Sequence, residues 1–384
     1  MARGNGMRAT ATWKIAAAYV GGIVGAGFAS GQEIVQFFAG FGWRGLLGAL
    51  GATALFALLG RIFTKLAYSM DTGSHRELLA GICGERWASF FDLALALFLW
   101  GTLAIMMAGA GALTREYLQT PLLYGILAMG LGVLLVLAFG VNGFLSLNLA
   151  MVGILLGITI LIGSASLAAH GPENVRFLDP GTATAPGGRV LIPNWWAAAA
   201  LYVSYNSSLM LALAASIGRA GGQIAGEQRA GERLVGERGA LRQFAFGGLL
   251  GGAGLGALAL FMTWVLLSAG KEVLHGALPM YIIARSLGPL PYYSYLLSLW
   301  IAMWATATSC TYSLSRRISR MLGLNWRAAA GVAVVVASGL ARIGFTELIQ
   351  TVYPAFGYVW FVFLLFLARY GLARHTCAKP TRRV

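Results

Sequence analysis

The sequence is poor in charge. Asp and Glu number 13 and Lys and Arg 28 in 384 residues, so 11% of the chain is charged, where a soluble domain carries about 25%. That shortage excludes an ordinary water-soluble fold, which needs a charged surface. Cysteine is scarce too. Cys83, Cys310 and Cys377 are odd in number and lack metal-ligand spacing, which excludes a disulfide framework and predicts free thiols. H-E-x-x-H, G-x-S-x-G and Walker-type patterns are missing, and His75, His170, His275 and His375 all lie outside the apolar runs. Neither an enzyme nor an ATP-driven pump is expected. MARGNGMRATATWK, the N-terminus, lacks a small-residue cleavage site behind a short apolar region, so no cleaved signal peptide is expected.

What is abundant is apolar sequence. Hydrophobic residues make up 58% of the chain and the mean hydropathy is +0.73. Apolar runs repeatedly reach the roughly 20 residues that cross a bilayer about 30 Å thick. Ten spans are predicted, at about 13 to 41, 44 to 68, 87 to 114, 121 to 140, 143 to 169, 194 to 218, 243 to 269, 291 to 315, 325 to 342 and 346 to 371. The net charge of +15 is spread between these runs rather than gathered in a patch, so it predicts membrane topology and no nucleic-acid partner. With the N-terminus inside, 21 of the 28 Lys and Arg fall on the inner side and 7 on the outer, which orients both termini to the cytoplasm of a bacterial inner membrane.

Three segments are expected to connect spans. Residues 170 to 193 hold four of the ten prolines and read as an outer loop. HGALPMYIIARSLG, 275 to 288, is apolar but too short to cross and reads as a re-entrant or surface helix. A cytoplasmic loop is expected at 219 to 242, where GEQRAGERLVGER repeats Gly-Glu at 226, 231 and 236 and reads as a solvated stretch of alternating charge.

The first span is unlike an uninterrupted helix. GGIVGAGFASGQEIVQFF, residues 21 to 38, holds Gly21, Gly22, Gly25, Gly27 and Gly31 before Gln32 and Glu33. Glycines can admit a neighbouring helix, as small-xxx-small faces do, or can let the backbone unwind. Ser30-Gly31-Gln32-Glu33 matches a capping box, a helix-start signal some 17 residues into a span. Two half-helices follow, roughly 13 to 24 and 30 to 41, joined by an unwound turn near Gly25 to Ala29. Such irregular backbone survives at membrane depth only where it is buried or lines a polar cavity. Its freed carbonyls can hold a cation and its freed amides can face an anionic group.

An inverted repeat of five spans plus five, about 13 to 169 and 194 to 371, would require a second break in the sixth span. Ser204-Tyr205-Asn206-Ser207-Ser208 interrupts NWWAAAALYVSYNSSLMLALAASIG at its middle, and Ser and Asn compete with helical hydrogen bonding. The alternative is a polar packing face on an intact helix. In the eighth span Thr308 and Ser309 share a side of the helix and could complete a sodium site, or could bond back to their own carbonyls. Gln350, Tyr353 and Pro354 in the tenth span could line a pathway or kink the helix. Asp92 is expected at an interface or against an Arg, and Trp195 and Trp196 in an aromatic belt.

Ile23-Val24-Gly25-Ala26-Gly27-Phe28-Ala29-Ser30-Gly31-Gln32-Glu33 resembles the first span of the YkvI-like bacterial membrane proteins, which are grouped with amino-acid permeases in the amino acid–polyamine–organocation (APC) superfamily. The resemblance implies an all-α integral membrane fold of leucine-transporter type, ten helices in a 5+5 inverted repeat, with substrate between the broken first and sixth spans. It implies substrate contacts from Gly25, Ala26, Gly27, Ser30, Glu33, Tyr205, Asn206 and Ser207. The superfamily's sodium site maps to Gly21 and Val24 with Ala305, Thr308 and Ser309. Proton-coupled relatives carry a Lys in the fifth span, which here has no ionisable residue from Gly143 to Ala169; that departure favours Na+ as coupling ion. Glu33 or Glu347 could carry a proton instead. Glu33 would also repel a substrate carboxylate, so a cationic, zwitterionic or neutral ligand fits. The reading is a secondary active transporter of a small polar solute, an amino acid or related amine, embedded in the lipid bilayer. A ligand-sensing receptor subunit of the same fold is the alternative, and oligomeric state is left open.

Overall fold

Residues 2–70, 74–139, 142–171, 191–228 and 235–377 are described by a computed structural model. Among them there is no strand. The first span is α1 (Ala2–Ile23), a single turn α2 (Ala26–Ala29) and α3 (Gln32–Phe37), followed by a 3-10 turn over Ala39–Phe41. Then come α4 (Trp43–Met70), the short α5 (His75–Cys83), α6 (Glu85–Leu118), α7 (Leu122–Phe139) and α8 (Asn142–His170). The second half holds α9 (Trp195–Gln228), α10 (Val235–Ala269), the short α11 (Lys271–His275) and α12 (Pro279–Ser286), α13 (Pro289–Leu322), α14 (Trp326–Ala341) and α15 (Phe345–Cys377).

Five of these, α4, α6, α9, α10 and α15, contain stretches long and apolar enough by themselves to cross a membrane. The other expected spans fall on α1 with α2 and α3, on α7, on α8, and on the α13–α14 pair, which turns through 114° between Leu322 and Trp326. Gly323, at φ 66°, makes that turn.

The helices pack in two groups. α10 and α9 both lie along α4, and α1 lies along α10 and α9; α13 lies on α6, and α7 and α14 pack against both. α15 bridges the groups by touching α9 and α6, and α8 touches α13 and α10. Antiparallel α4 and α10 approach backbone to backbone. A Cβ on Gly60 would run into Gly248 O, and one on Gly252 would run into Phe56 O. Only glycine permits that distance, so the small-residue rows on α10 act as a helix-packing face.

Three expectations on the connections meet the structure differently. α12 supplies the short apolar helix expected in 275 to 288. The expected cytoplasmic loop is largely helical backbone, because α9 runs on to Gln228 and α10 starts at Val235; residues 229–234 lie outside the described residues, as do 172–190 of the expected outer loop. Cys83 and Cys310 are free thiols, and burial pushes the Cys83 thiol up to about 11. The Cys377 side chain lies outside the described residues. Asp92 takes the second of its expected options, pairing with Arg317 at 2.9 Å and tying α6 to α13.

Candidate functional site

The first span is interrupted twice. Val24 N–H closes on Val20 O at 3.0 Å, and the next backbone bond runs from Ala29 N–H to Gly25 O at 3.1 Å. The carbonyls of Gly21 to Val24 and the amides of Gly25 to Phe28 are therefore left over, as at any two helix ends that meet. A Cβ on Gly25 would meet nothing within 4 Å, so the break opens onto free space. The linker is more ordered than expected, because residues 26 to 29 form one helical turn instead of an unwound one. The second interruption is Gly31, at φ 84°, a conformation that glycine adopts without strain.

The expected capping box does not form. Ser30 Oγ does accept from Gln32 N–H at 3.3 Å, but it donates to Gly27 O at 2.7 Å, and Gly31 occupies the N-cap of α3. Glu33 leaves Ser30 altogether and turns to α9. The Ser30 N–H that a capping box would use is already given to Ala26 O at 2.9 Å, and the Tyr205 hydroxyl donates to Glu33 Oε1 instead. The C-terminal side of the break is pinned from two directions. Met280 N–H donates to Ser30 O at 3.0 Å, and the Tyr295 hydroxyl donates to Ala29 O at 2.7 Å.

The sixth span is not broken. α9 runs unbroken through Ser204 to Ser208, and the polar side chains expected to unwind it bond back instead. Ser204 Oγ donates to Ala200 O at 2.6 Å, Asn206 Nδ2 to Tyr202 O at 2.9 Å, Ser207 Oγ to Ser204 O at 2.6 Å and Ser208 Oγ to Tyr205 O at 2.7 Å. Buried among apolar helices, these groups have their own i−3 and i−4 carbonyls as the nearest acceptors, which keeps the helix intact. Asn206 and Ser207 are thus spent on α9 itself, while Tyr202 and Tyr205, one turn apart, face the broken first span.

The result is a carboxylate enclosed by aromatic rings. Glu33 is 6% exposed. Its Oε2 lies over Gly27, where a Cβ would stand 3.0 Å from it and 3.1 Å from the Tyr353 hydroxyl. Tyr205 and Tyr353 stack at 5.0 Å and 18°, Phe98 of α6 lies 6.0 Å from Tyr205 and 5.8 Å from Tyr353, and Phe37 lies 5.6 Å from Tyr205. The Tyr202 hydroxyl stands alongside the same carboxylate. On α3, the Gln32 side-chain amide is buried without a partner on either atom, and Gln36 lacks one for Oε1. No basic side chain pairs with Glu33: the ion pairs among the described residues are Arg76 with Glu85 and Arg317 with Asp92.

Of the predicted substrate residues, then, Gly27, Glu33 and Tyr205 converge, Gly25 and Ala26 line the break beside them, and Ser30 shapes the turn. Tyr353 joins from α15. Phe98 carried no signal in the sequence, while Tyr202 could have been found from its i, i+3 spacing to Tyr205. On α13 the Thr308 and Ser309 hydroxyls donate backward to Trp304 O at 2.9 Å and Ala305 O at 3.0 Å. That is the self-bonding arrangement weighed as the alternative, and α13 meets the first span at α2.

No family model matches the chain. It is 28% identical over 357 residues to the membrane protein YkvI of Bacillus subtilis strain 168, across 91% of this chain and 93% of that one. The resemblance read from the first span therefore extends over nearly the whole length. Among solved structures, inward-facing Mhp1 matches with a TM-score of 0.64 at 12% identity, covering 91% of this chain and 73% of that one. The fold is leucine-transporter-like. MhsT in complex with L-phenylalanine matches with a TM-score of 0.56 at 15% identity, covering 90% of this chain and 86% of that one. Mhp1 is described as a nucleobase-cation-symport-1 family transporter, and these neighbours are transporters rather than enzymes.

Proposed function

We propose that this chain is a secondary active transporter of a small solute bearing an ammonium group, an amino acid or related amine, working by alternating access with Na+ as its coupling ion. The observation that carries the reading is Glu33, buried at the broken first span among phenol rings with no basic partner. An uncompensated charge inside a membrane protein is costly and marks a functional position. The compensation must then arrive from solution. An ammonium group suits this enclosure, because it can pair with the carboxylate while the faces of Tyr205, Tyr353 and Phe98 attract it through their quadrupoles. The unpartnered amides of Gln32 and Gln36 offer hydrogen bonds to the rest of a polar solute. The phenylalanine complex of MhsT supports an amino acid as cargo on this architecture.

Sodium coupling is supported by the leftover carbonyls of Gly21 and Val24 and by the neighbouring hydroxyls of Thr308 and Ser309 on α13. Thr308 Oγ1 donates backward, and a hydroxyl that donates can still coordinate through its oxygen. The five-plus-five repeat is supported by packing that exchanges between halves: α1 on α10 corresponds to α9 on α4, and α6 on α7 to α13 on α14. Alternating access would move α1 and α9 against α6, α7, α13 and α14. The Lys and Arg bias supports cytoplasmic termini in a bacterial inner membrane.

A second reading has a specific observation behind it. A carboxylate held by Tyr205 with no basic counter-group could carry a proton, which would make coupling H+-driven. The test is uptake of labelled amino acids and amines into proteoliposomes under an imposed Na+ gradient. Sodium-driven accumulation, lost in Glu33→Gln, is the expected result. Accumulation driven only by a pH gradient would replace sodium with protons. Ligand-induced thermal stabilisation without any uptake would make the protein a sensor.

A further inference from the structure

We propose that the inner ends of α4 and α10 form a binding site for an anionic phospholipid, with its phosphate between Arg61, Lys65 and Arg242. These three side chains line one cavity of about 530 Å³ whose remaining wall is apolar, including Phe246 and Leu249. The packing of the two helices brings the charges together. Gly60 meets Gly248 and Phe56 meets Gly252, an antiparallel register that sets Lys65 level with the Arg242 turn.

Three cations sharing a cavity repel one another, and no carboxylate among the described residues pairs with them. All three are exposed, an anion would relieve their repulsion, and the surroundings choose its kind. Phe246 is 54% exposed within the same cavity, so a soluble phosphate would satisfy the charges and leave an aromatic wall bare. A phospholipid covers both. Depth agrees: Lys65 lies about one bilayer thickness, roughly 30 Å of helix, from Trp43 at the other end of α4. Clustered basic residues at that level attract anionic headgroups. Lys65 also lines a second groove of about 940 Å³ between α4, α9 and α15, lined by Ile62, Leu66 and Leu367 and reaching Ser204. Ser204 adjoins Tyr205, so an acyl chain in this groove would touch the helix that holds Glu33.

The test uses the full chain in neutral detergent, with thermal shift and native mass spectrometry as readouts. The probes are phosphatidylglycerol, phosphatidylcholine of matched chains, and sn-glycerol 3-phosphate. Phosphatidylglycerol is expected to raise the melting temperature by several degrees and to survive as a bound adduct. In Arg61→Gln/Lys65→Gln/Arg242→Gln that shift should fall to the phosphatidylcholine value, while Arg316→Gln/Arg320→Gln/Arg327→Gln keeps it. Should the first triple variant not fold, Lys65→Gln and Arg242→Gln singly should each lose part of the shift and of the adduct. Equal shifts from both lipids, an unchanged shift in the site variants, or equal loss in the control variant would overturn the proposal. A full shift from glycerol 3-phosphate alone would assign the cavity to a soluble anion instead.

Discussion

Replacing Glu33 by Gln should change stability and ligand binding in opposite directions. The side chain keeps its shape, and Tyr205 can donate to an amide oxygen as it does to Glu33 Oε1. What disappears is a buried charge without a basic partner. Relief of its desolvation should stabilise the ligand-free protein by about 1–4 kcal/mol, on the scale of replacing a buried ion pair by well-packed hydrophobic residues of similar volume. For a chain of this size that is roughly 1–2 °C of melting temperature per kcal/mol. An ammonium ligand loses its counter-charge in the same step. Removing one member of a buried charge pair costs about 2–5 kcal/mol, which is roughly 30- to 4000-fold in Kd. Thermal shift across an amine panel reads both quantities, since a ligand bound to the folded state raises its melting temperature. A Gln variant that binds amines within threefold of wild type, or that melts lower without ligand, would refute the charge-compensation reasoning.

Gly27→Ala puts a methyl 3.0 Å from Glu33 Oε2 and 3.1 Å from the Tyr353 hydroxyl. Both neighbours can retreat by tenths of an ångström, so folding should cost about 1 kcal/mol while calorimetric affinity for the ammonium ligand drops about tenfold. Gly60→Val meets the Gly248 carbonyl, which is backbone in a packed helix and cannot retreat; a loss of about 3 kcal/mol or more should appear as poor yield and early melting. Thr308→Ala and Ser309→Ala should abolish any difference in melting temperature between Na+ and K+ at equal ionic strength; a sodium effect that survives both would remove them from the site. His75, on the connecting helix α5, is held down to about 4 by burial, with Asp92 partly opposing. Because the unfolded chain protonates near 6.5, its contribution is complete above that pH and is lost as pH falls from about 6.5 towards 4. His75→Gln should flatten melting temperature over that window.

The break in the first span was legible because its cause is local. Five glycines in eleven residues lower the cost of non-helical backbone wherever the chain happens to be, and Gly31 does adopt the positive φ that only glycine takes readily. That the sixth span lacks a matching break was not legible for the converse reason. Ser and Asn can cap a new helix or bond back into the old one with similar local energy, so the stretch 204 to 208 is ambiguous until its surroundings are known. Packed against α4 and α15, those side chains bond back and α9 stays whole. Glu33 met the same kind of choice. The capping box is a four-residue pattern, but Ser30 N–H went to Ala26 O and Glu33 took a phenol from a residue 172 positions away.

By itself the sequence determined what depends on composition and neighbouring residues: a membrane protein, apolar runs of bilayer length, an uneven spread of Lys and Arg between them, and one glycine-rich interruption. These follow from transfer free energies and backbone propensities, which add up along the chain. Tertiary structure alone decided which rings enclose Glu33, that Phe98 and Tyr202 belong with it, that no basic side chain compensates it, and that α4 and α10 gather Arg61, Lys65 and Arg242 around one cavity. Each of those is a meeting between helices far apart in the chain, fixed by the packing of glycine faces and ring edges rather than by any local preference.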